Sequence, residues 1–397
     1  MKIKKLSSRA IFDSRGERTI EVELTNSRGE TFRASTPSGK STGSNEATVF
    51  SARKGVFSVN RIGLALCGKS FFSLSDLDAA LLSLDGTKSK SRLGGNVMLS
   101  VSIAALRAMG SEKRIATWQA LRKEFFKGVS EKKRPHVFSN VINGGAHGRN
   151  NLSIQEYMIV ARPESSYENA ISSLIVAYQK IGELLARRGF PSGVPIGDEG
   201  GYSVQFKNNF EPIQILERVL RETKMSRWCG IAIDAAATGF YKKEKYHIDG
   251  KFLSEEALSA LYCRYRGRSK LLFSIEDPFW EKDSFSFAAL RRLDPSLWVV
   301  GDDLTTTNPA SIDTAGKEGL INAVIIKPNQ IGTVTEACWA MNAARRLGIK
   351  TIVSHRSGET EDAFIIHLAK AGGADGVKIG APTRERMVKF NELMRIF

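Results

Sequence analysis

Residues 20–25, IEVELT, alternate apolar and polar side chains with the two-residue period of a half-buried strand. Asn26-Ser27-Arg28-Gly29 then supplies turn chemistry and ETFRAS resumes an extended run, so this stretch predicts an antiparallel hairpin. The spacing then changes. Residues 74–84 and 97–109 repeat at helical intervals, with Val97, Val101, Ala104, Ala105 and Ala108 near one face. A basic, irregular stretch, GVSEKKRPH (128–136), follows, and the domain boundary is placed there: a small α+β unit over 1–130 and a second unit over 131–397.

In the second unit short apolar, β-branched runs recur, each ending in a polar residue or glycine: VPIGDE, GIAIDA, LLFSIED, WVVGDD, AVIIKPN, TIVSH and GVKIG. Longer helical segments lie between them, such as residues 165–189, apolar at Ile171, Leu174, Ile175, Tyr178, Ile181 and Leu185 and stopped by Gly189. Strand and helix in alternation predict a parallel sheet buried on both faces, hence an α/β fold. Seven or eight such units in roughly 265 residues have the size of a (β/α)₈ barrel. A doubly wound open sheet is disfavoured because no G-x-G-x-x-G follows an early strand.

Composition narrows the class. Of 397 residues, 42% are hydrophobic and 25% charged, the balance of a globular protein. The basic start has no apolar segment behind it, and no run approaches bilayer length, so neither a signal peptide nor a membrane span is expected. Cys67, Cys229, Cys263 and Cys338 are scattered with no C-x-x-C pair, which suits free thiols in a reducing cytoplasm. Residues 1–130 hold 22 Lys/Arg against 11 Asp/Glu and carry most of the net +16. That surplus admits nucleic-acid contact, but no RNA-binding signature accompanies it, so a solvated basic face is the expectation. Gly39-Lys40-Ser41-Thr42 matches the tail of a P-loop. Ala34 stands where that motif needs glycine and Pro37 lacks an N–H, so the P-loop reading fails.

In a barrel the strand C-termini converge on one mouth. The residues ending successive runs are Glu199, Asp234, Glu276, Asp302, Lys327, His355 and Lys378. Any one alone reads blandly: an Asp as a helix N-cap, a Lys as a snorkelling side chain, a His as a structural ring. Their coincidence at one end favours a site. Crowded carboxylates repel unless positive charge lies among them, and Asp234, Glu276 and Asp302 on consecutive strands suit a hard cation such as Mg²⁺. A lysine serves as general base if cations and desolvation lower its pKa, and a metal on a substrate carboxylate stabilises the charge formed by removing the adjacent proton. Glu156 and Glu199 could then protonate a leaving group, giving β-elimination of water.

These residues lie in segments that, taken together, resemble the enolases over nearly the whole chain: FDSRGERTIEVEL, PSGKSTG, LDGTKSKSRLGGN, INGGAH, QEYMIV, GDEGG, SIEDPF, DDLTTTNP, KPNQIGT, SHRSGETED and KIGAP. SHRSGETED, SIEDPF and NQIGT in this order carry the resemblance most strongly. It implies a small α+β cap and a modified barrel that begins with two adjacent strands and two helices. It implies phosphopyruvate hydratase activity on 2-phosphoglycerate in the cytoplasm, a homodimer or higher homo-oligomer, and two Mg²⁺ per site. By the same resemblance Lys327 is the base and Glu199 the acid, supported by Glu156. Asp234, Glu276 and Asp302 hold the first Mg²⁺, and Ser41 holds a second that arrives with substrate. Lys378 and Gln155 meet the substrate carboxylate, Arg356 and Ser357 take the phosphate, and His147 and His355 close on the substrate. An acid-sugar dehydratase, or a binding protein for RNA or a cell surface, are the alternatives.

The chain departs from the family pattern at Lys40 (commonly alanine), at AATGF (236–240), at EATVFSARK and in a shortened segment over 50–85. The acid, base and metal positions are untouched. Lys40 is expected either to point outward into solvent or to add a cation near the phosphate.

Overall fold

The computed structural model describes residues 1–40, 43, 45–164, 166–190 and 193–397. The N-terminal strands β1 (Ile3–Phe12), β2 (Arg18–Asn26) and β3 (Thr31–Ser35) form an antiparallel sheet in the order β1-β2-β3. The alternation in β2 does what its period requires: Ile20, Val22 and Leu24 are fully buried, while Glu23 turns outward to Arg9 and Arg33. Four helices follow, Ala52–Leu66, Leu74–Asp85, Gly95–Glu112 and Thr117–Phe125.

Helix Gly95–Glu112 departs from the one-faced expectation. Most of its residues are buried, because it runs between the small sheet and helices of the larger unit. Its Gly, Ala and Ser positions permit that close approach; Gly95 has no room for a side chain, since a Cβ there would lie 2.6 Å from Ala47. Two buried carboxylates join the units. Asp362 takes a two-pronged bond from Arg107 (2.7 and 2.8 Å) and caps helix Phe364–Gly372 through the Phe364 N–H. Asp78 accepts from the Ser102 hydroxyl (2.9 Å) and from the Thr335 N–H (3.0 Å) in the first turn of helix Val334–Arg346.

The larger unit opens with β4 (His136–Asn143), β5 (Glu156–Ala161) and β6 (Cys229–Asp234). A side hairpin sheet, β7 (Tyr241–Lys242), β8 (Lys245–Ile248) and β9 (Lys251–Leu253), precedes β10 (Leu272–Glu276), β11 (Trp298–Gly301), β12 (Ala323–Ile326), β13 (Lys350–Ser354) and β14 (Gly376–Ile379). The barrel closes in the order β10-β11-β12-β13-β14-β4-β5-β6. Only β5 runs against its neighbours, and helices Tyr167–Ala186 and Glu211–Glu222 separate it from β6. The unit is thus the modified barrel with two strands and two helices ahead of the regular repeats.

One expected strand is absent. VPIGDE is not part of the barrel; residues 193–200 form a turn region held by an isolated bridge between Ile196 and Tyr202. Pro195 cannot donate to a ladder, and Gly193 and Gly200 take positive φ of 112° and 82°, which turns the chain. Glu199 therefore reaches the mouth from a loop. The missing barrel positions are filled by HVFSNVIN and EYMIVA.

Candidate active site

Register aligns the acids. Glu156 pairs with Asp234 across β5 and β6, and Asp234 pairs with Glu276 across β6 and β10, at the end where β5 begins and the others finish. Asp302, Lys327 and His355 directly follow β11, β12 and β13, and Lys378 sits near the end of β14. All of these except Lys327 are buried below a tenth exposure, and Lys327 is close to it. Glu156, Lys327, His355 and Lys378 line a narrow cleft together with Gly39, Lys40, His147, Gln155, Glu199, Arg356 and Ser357, while Asp234, Glu276 and Asp302 are not part of its lining. Ser41, the expected second-metal ligand, lies outside the described residues.

Lys378 reaches across the barrel. Its Nζ donates to Asp234 (3.0 Å) and Glu276 (2.8 Å) and lies 3.0 Å from Glu156. Burial opposes the ammonium, but these carboxylates hold its pKa well above the ordinary lysine value. Lys327 instead bonds Asp302, whose other oxygen accepts from the Gln330 amide at 3.0 Å. Burial, the largest single influence, and the cations Arg356 and Lys378 push Lys327 down as expected of a base, yet Asp302, Glu276 and the other nearby carboxylates together raise it. The structure thus gathers Asp234 and Glu276 on one ammonium and holds Asp302 on the other. Among the described residues the acid groups with mutually close oxygens are Asp277, Asp302 and Asp303, together with the His147, Glu156 and Glu199 set.

Four buried carboxylates (Glu156, Asp234, Glu276 and Asp302) face two ammonium groups. Burial, then Asp234, and further Asp302, push the Glu276 carboxyl well above its ordinary range even with both lysines present. This corner is short of positive charge and presents only carboxylate oxygens as donors, which fits a hard divalent cation.

The opposite wall holds the second acid pair. His147 Nδ1 lies 3.4 Å from Glu199 and 3.5 Å from Glu156, and Asn140 donates to Glu199 at 2.9 Å. Burial disfavours the His147 cation, but Glu199 and Glu156 raise its pKa. Burial likewise opposes ionisation of Glu199, and the His355 and His147 rings, with Arg386 behind them, hold it well below its ordinary value.

The described residues that lead into GKST, up to Lys40, lie over this mouth. Ser38 and Gly358 exchange two backbone bonds (2.8 and 2.9 Å), and the Lys40 N–H donates to Ser357 Oγ at 2.9 Å. A Cβ on Gly358 would lie 2.1 Å from an Asp13 oxygen, so only glycine permits that approach. Lys40 is exposed, as its solvated course requires, and its ammonium also pairs with Asp198 at 2.7 Å, beside Glu199. At the far end of the loop Glu46 engages Arg356 through both oxygens (3.0 and 3.2 Å). Glu46, Asp198, Asn140 and Gln330 were not singled out from the sequence. Glu46, Asn140 and Gln330 end no apolar run, Asp198 stands beside the Glu199 chosen from VPIGDE, and only the tertiary fold brings them to the mouth.

A barrel whose mouth combines buried acids, two lysines and two histidines under a loop from a small cap defines an enzyme that moves protons on an anionic substrate. The family model described as "Enolase, N-terminal domain" matches residues 3–121, and "Enolase, C-terminal TIM barrel domain" matches residues 132–397. The chain belongs to the enolase family, the hydro-lyases called phosphopyruvate hydratases. It is 39% identical to an enolase of Lactobacillus acidophilus over 405 residues, covering 97% of this chain and 92% of the relative. Its identity to an enolase of Neorickettsia sennetsu is 38% over 414 residues, covering 99% of this chain and 98% of the relative. The family implies a divalent metal, and the acids at the mouth are able to bind one. Among the described residues no helix is long and apolar enough to cross a membrane.

Proposed function

We propose that the chain catalyses the reversible, Mg²⁺-dependent dehydration of 2-phosphoglycerate to phosphoenolpyruvate, with Lys327 and Glu199 as base and acid. The observation that carries this division is topological. Lys327 follows β12 and Glu156 opens β5, four strands apart in either direction around the eight-stranded barrel, and Glu199 stands with Glu156. A substrate between them loses its C2 proton to one wall and its C3 hydroxyl to the other. Lys327 takes the C2 proton, and Lys378, fixed among its carboxylates, faces the charge that grows on the substrate carboxylate alongside Gln155. Arg356 and Ser357 take the phosphate, Arg356 exchanging Glu46 for it; a guanidinium fork suits either oxyanion. A phosphorylated carboxylate brings like charge toward Glu199, which together with burial raises its pKa and lets it carry the proton the hydroxyl needs. His147 and His355 flank that carboxyl.

Asp234, Glu276 and Asp302 would hold the first Mg²⁺ and Ser41 the second. Held there, Mg²⁺ would supply positive charge that offsets these acids, including the Asp302 charge that raises Lys327. The same reading divides the chain at residues 130/131 and has the protein act in the cytoplasm as a homodimer or higher homo-oligomer.

The test is the absorbance of phosphoenolpyruvate formed from 2-phosphoglycerate. Turnover is expected with Mg²⁺ and its loss with EDTA; no turnover in either condition overturns the proposal. Lys40 gives a second expected result. A half-exposed ion pair contributes about 1 kcal/mol at most, so Lys40→Ala should raise KM by no more than about five-fold. A larger rise would mean that Lys40 leaves Asp198 to contact the phosphate.

A further inference from the structure

Arg386 has no role in the reaction as described, yet it is among the largest fully buried side chains of the protein. Four of its N–H groups point into the loops that carry the site. Nη2 donates to the carbonyls of Asp198 (3.2 Å) and Ser357 (2.6 Å). Nη1 donates to the carbonyl of Arg356 (2.8 Å) and meets His355 Nδ1 at 3.1 Å. A guanidinium offers donors only and keeps its proton in proteins. His355 Nδ1 must therefore present its lone pair, because a proton there would set N–H against N–H. The ring proton is left on Nε2, which lies 3.5 Å from Glu199 Oε2.

We propose that Arg386 is a positioning residue: it fixes His355 as a neutral ring protonated on Nε2, and so leaves His147 as the histidine that carries charge beside Glu199. The surroundings agree. Burial disfavours the His355 cation; Glu199 and Glu359 favour it, Arg386 opposes it, and the balance lies below the ordinary histidine value. His147 lies beside Glu199 and Glu156, with the Asp234 charge beyond them, and its balance lies above. The two rings stand on opposite oxygens of one carboxylate, His147 at Oε1 and His355 at Oε2. A neutral His355 steadies the Glu199 carboxylate through its N–H without protonating it. The proton that Glu199 must acquire is then governed by His147 and by substrate charge.

The kinetic part of this inference rests on the proposed function; the tautomer does not. Imidazole ¹⁵N NMR of the full chain, with His355 assigned by its loss in His355→Gln, should show a lone pair on Nδ1, a proton on Nε2 and no titration between about pH 5 and 8. His355 protonated on Nδ1, or cationic at neutral pH, overturns the proposal. In Arg386→Lys one ammonium cannot serve four acceptors, so His355 should begin to titrate in that window and the acidic limb of the kcat profile should move up by about one pH unit. If Arg386→Lys and Arg386→Met lose thermal stability but keep the tautomer and the pH profile, the arginine is structural only and the proposal fails. Should the variants not fold, the wild-type spectrum decides alone. Absence of turnover with a neutral, Nε2-protonated His355 would sink the proposed function and leave the tautomer assignment standing.

Discussion

Lys327→Ala is expected to abolish exchange of the C2 proton of 2-phosphoglycerate with solvent and to lower kcat by roughly 10²–10⁴-fold, the usual contribution of a positioned general base. No other described group on that wall can replace it. Lys378 is committed to Asp234 and Glu276, with Glu156 close by, and Arg356 does not give up its proton. The substitution also strips Asp302 of its ammonium, leaving the Gln330 amide as the partner of its other oxygen. A buried carboxylate that loses its counter-charge destabilises the fold, so thermal melting must accompany the kinetics. The catalytic reading requires that exchange vanish in protein that is still folded. Undiminished exchange in folded Lys327→Ala would remove Lys327 from the role of base.

Much of this arrangement is legible in the chain because barrel strands end where their chemistry begins. GIAIDA, LLFSIED, AVIIKPN, TIVSH and GVKIG each form a buried strand followed by, or ending in, a mouth residue. The periodicity in IEVELT translates directly into the burial of Ile20, Val22 and Leu24. HVFSNVIN escapes such a reading because Ser139, Asn140 and Asn143 interrupt its apolar run while being fully buried, which only the barrel interior explains. VPIGDE misleads in the opposite sense. Its apolar pattern is strand-like, but proline and glycines turn it into the loop that delivers Glu199. Arg386 is invisible for a different reason. In APTRERMVK it reads as one of several surface charges, and only the tertiary fold buries it against His355. The hardest quantity to foresee was the Lys327 pKa. Its neighbouring cations were expected to lower it, whereas its direct partner proves to be Asp302.

Glu199→Gln should separate the two halves of the reaction. Glutamine keeps the size of the side chain and can accept from Asn140, but it cannot deliver a proton to a departing hydroxyl. C2 exchange should persist while dehydration falls by roughly 10²–10⁴-fold. The substitution also removes the largest charge among the three carboxylates that raise His147, Glu199, Glu156 and Asp234, so the pKa of that ring should drop. The sign on stability follows. A histidine whose folded pKa exceeds its unfolded value contributes stability that is fully present below the unfolded pKa and is lost as pH rises through the folded one. The wild-type protein should therefore lose this increment as pH rises past the His147 pKa, and Glu199→Gln should show less of it. Thermal melting across pH measures that difference independently of turnover. If Glu199→Gln loses C2 exchange as completely as Lys327→Ala, the two walls do not divide base from acid. The histidine and carboxylate cluster would then have to act in the first proton transfer.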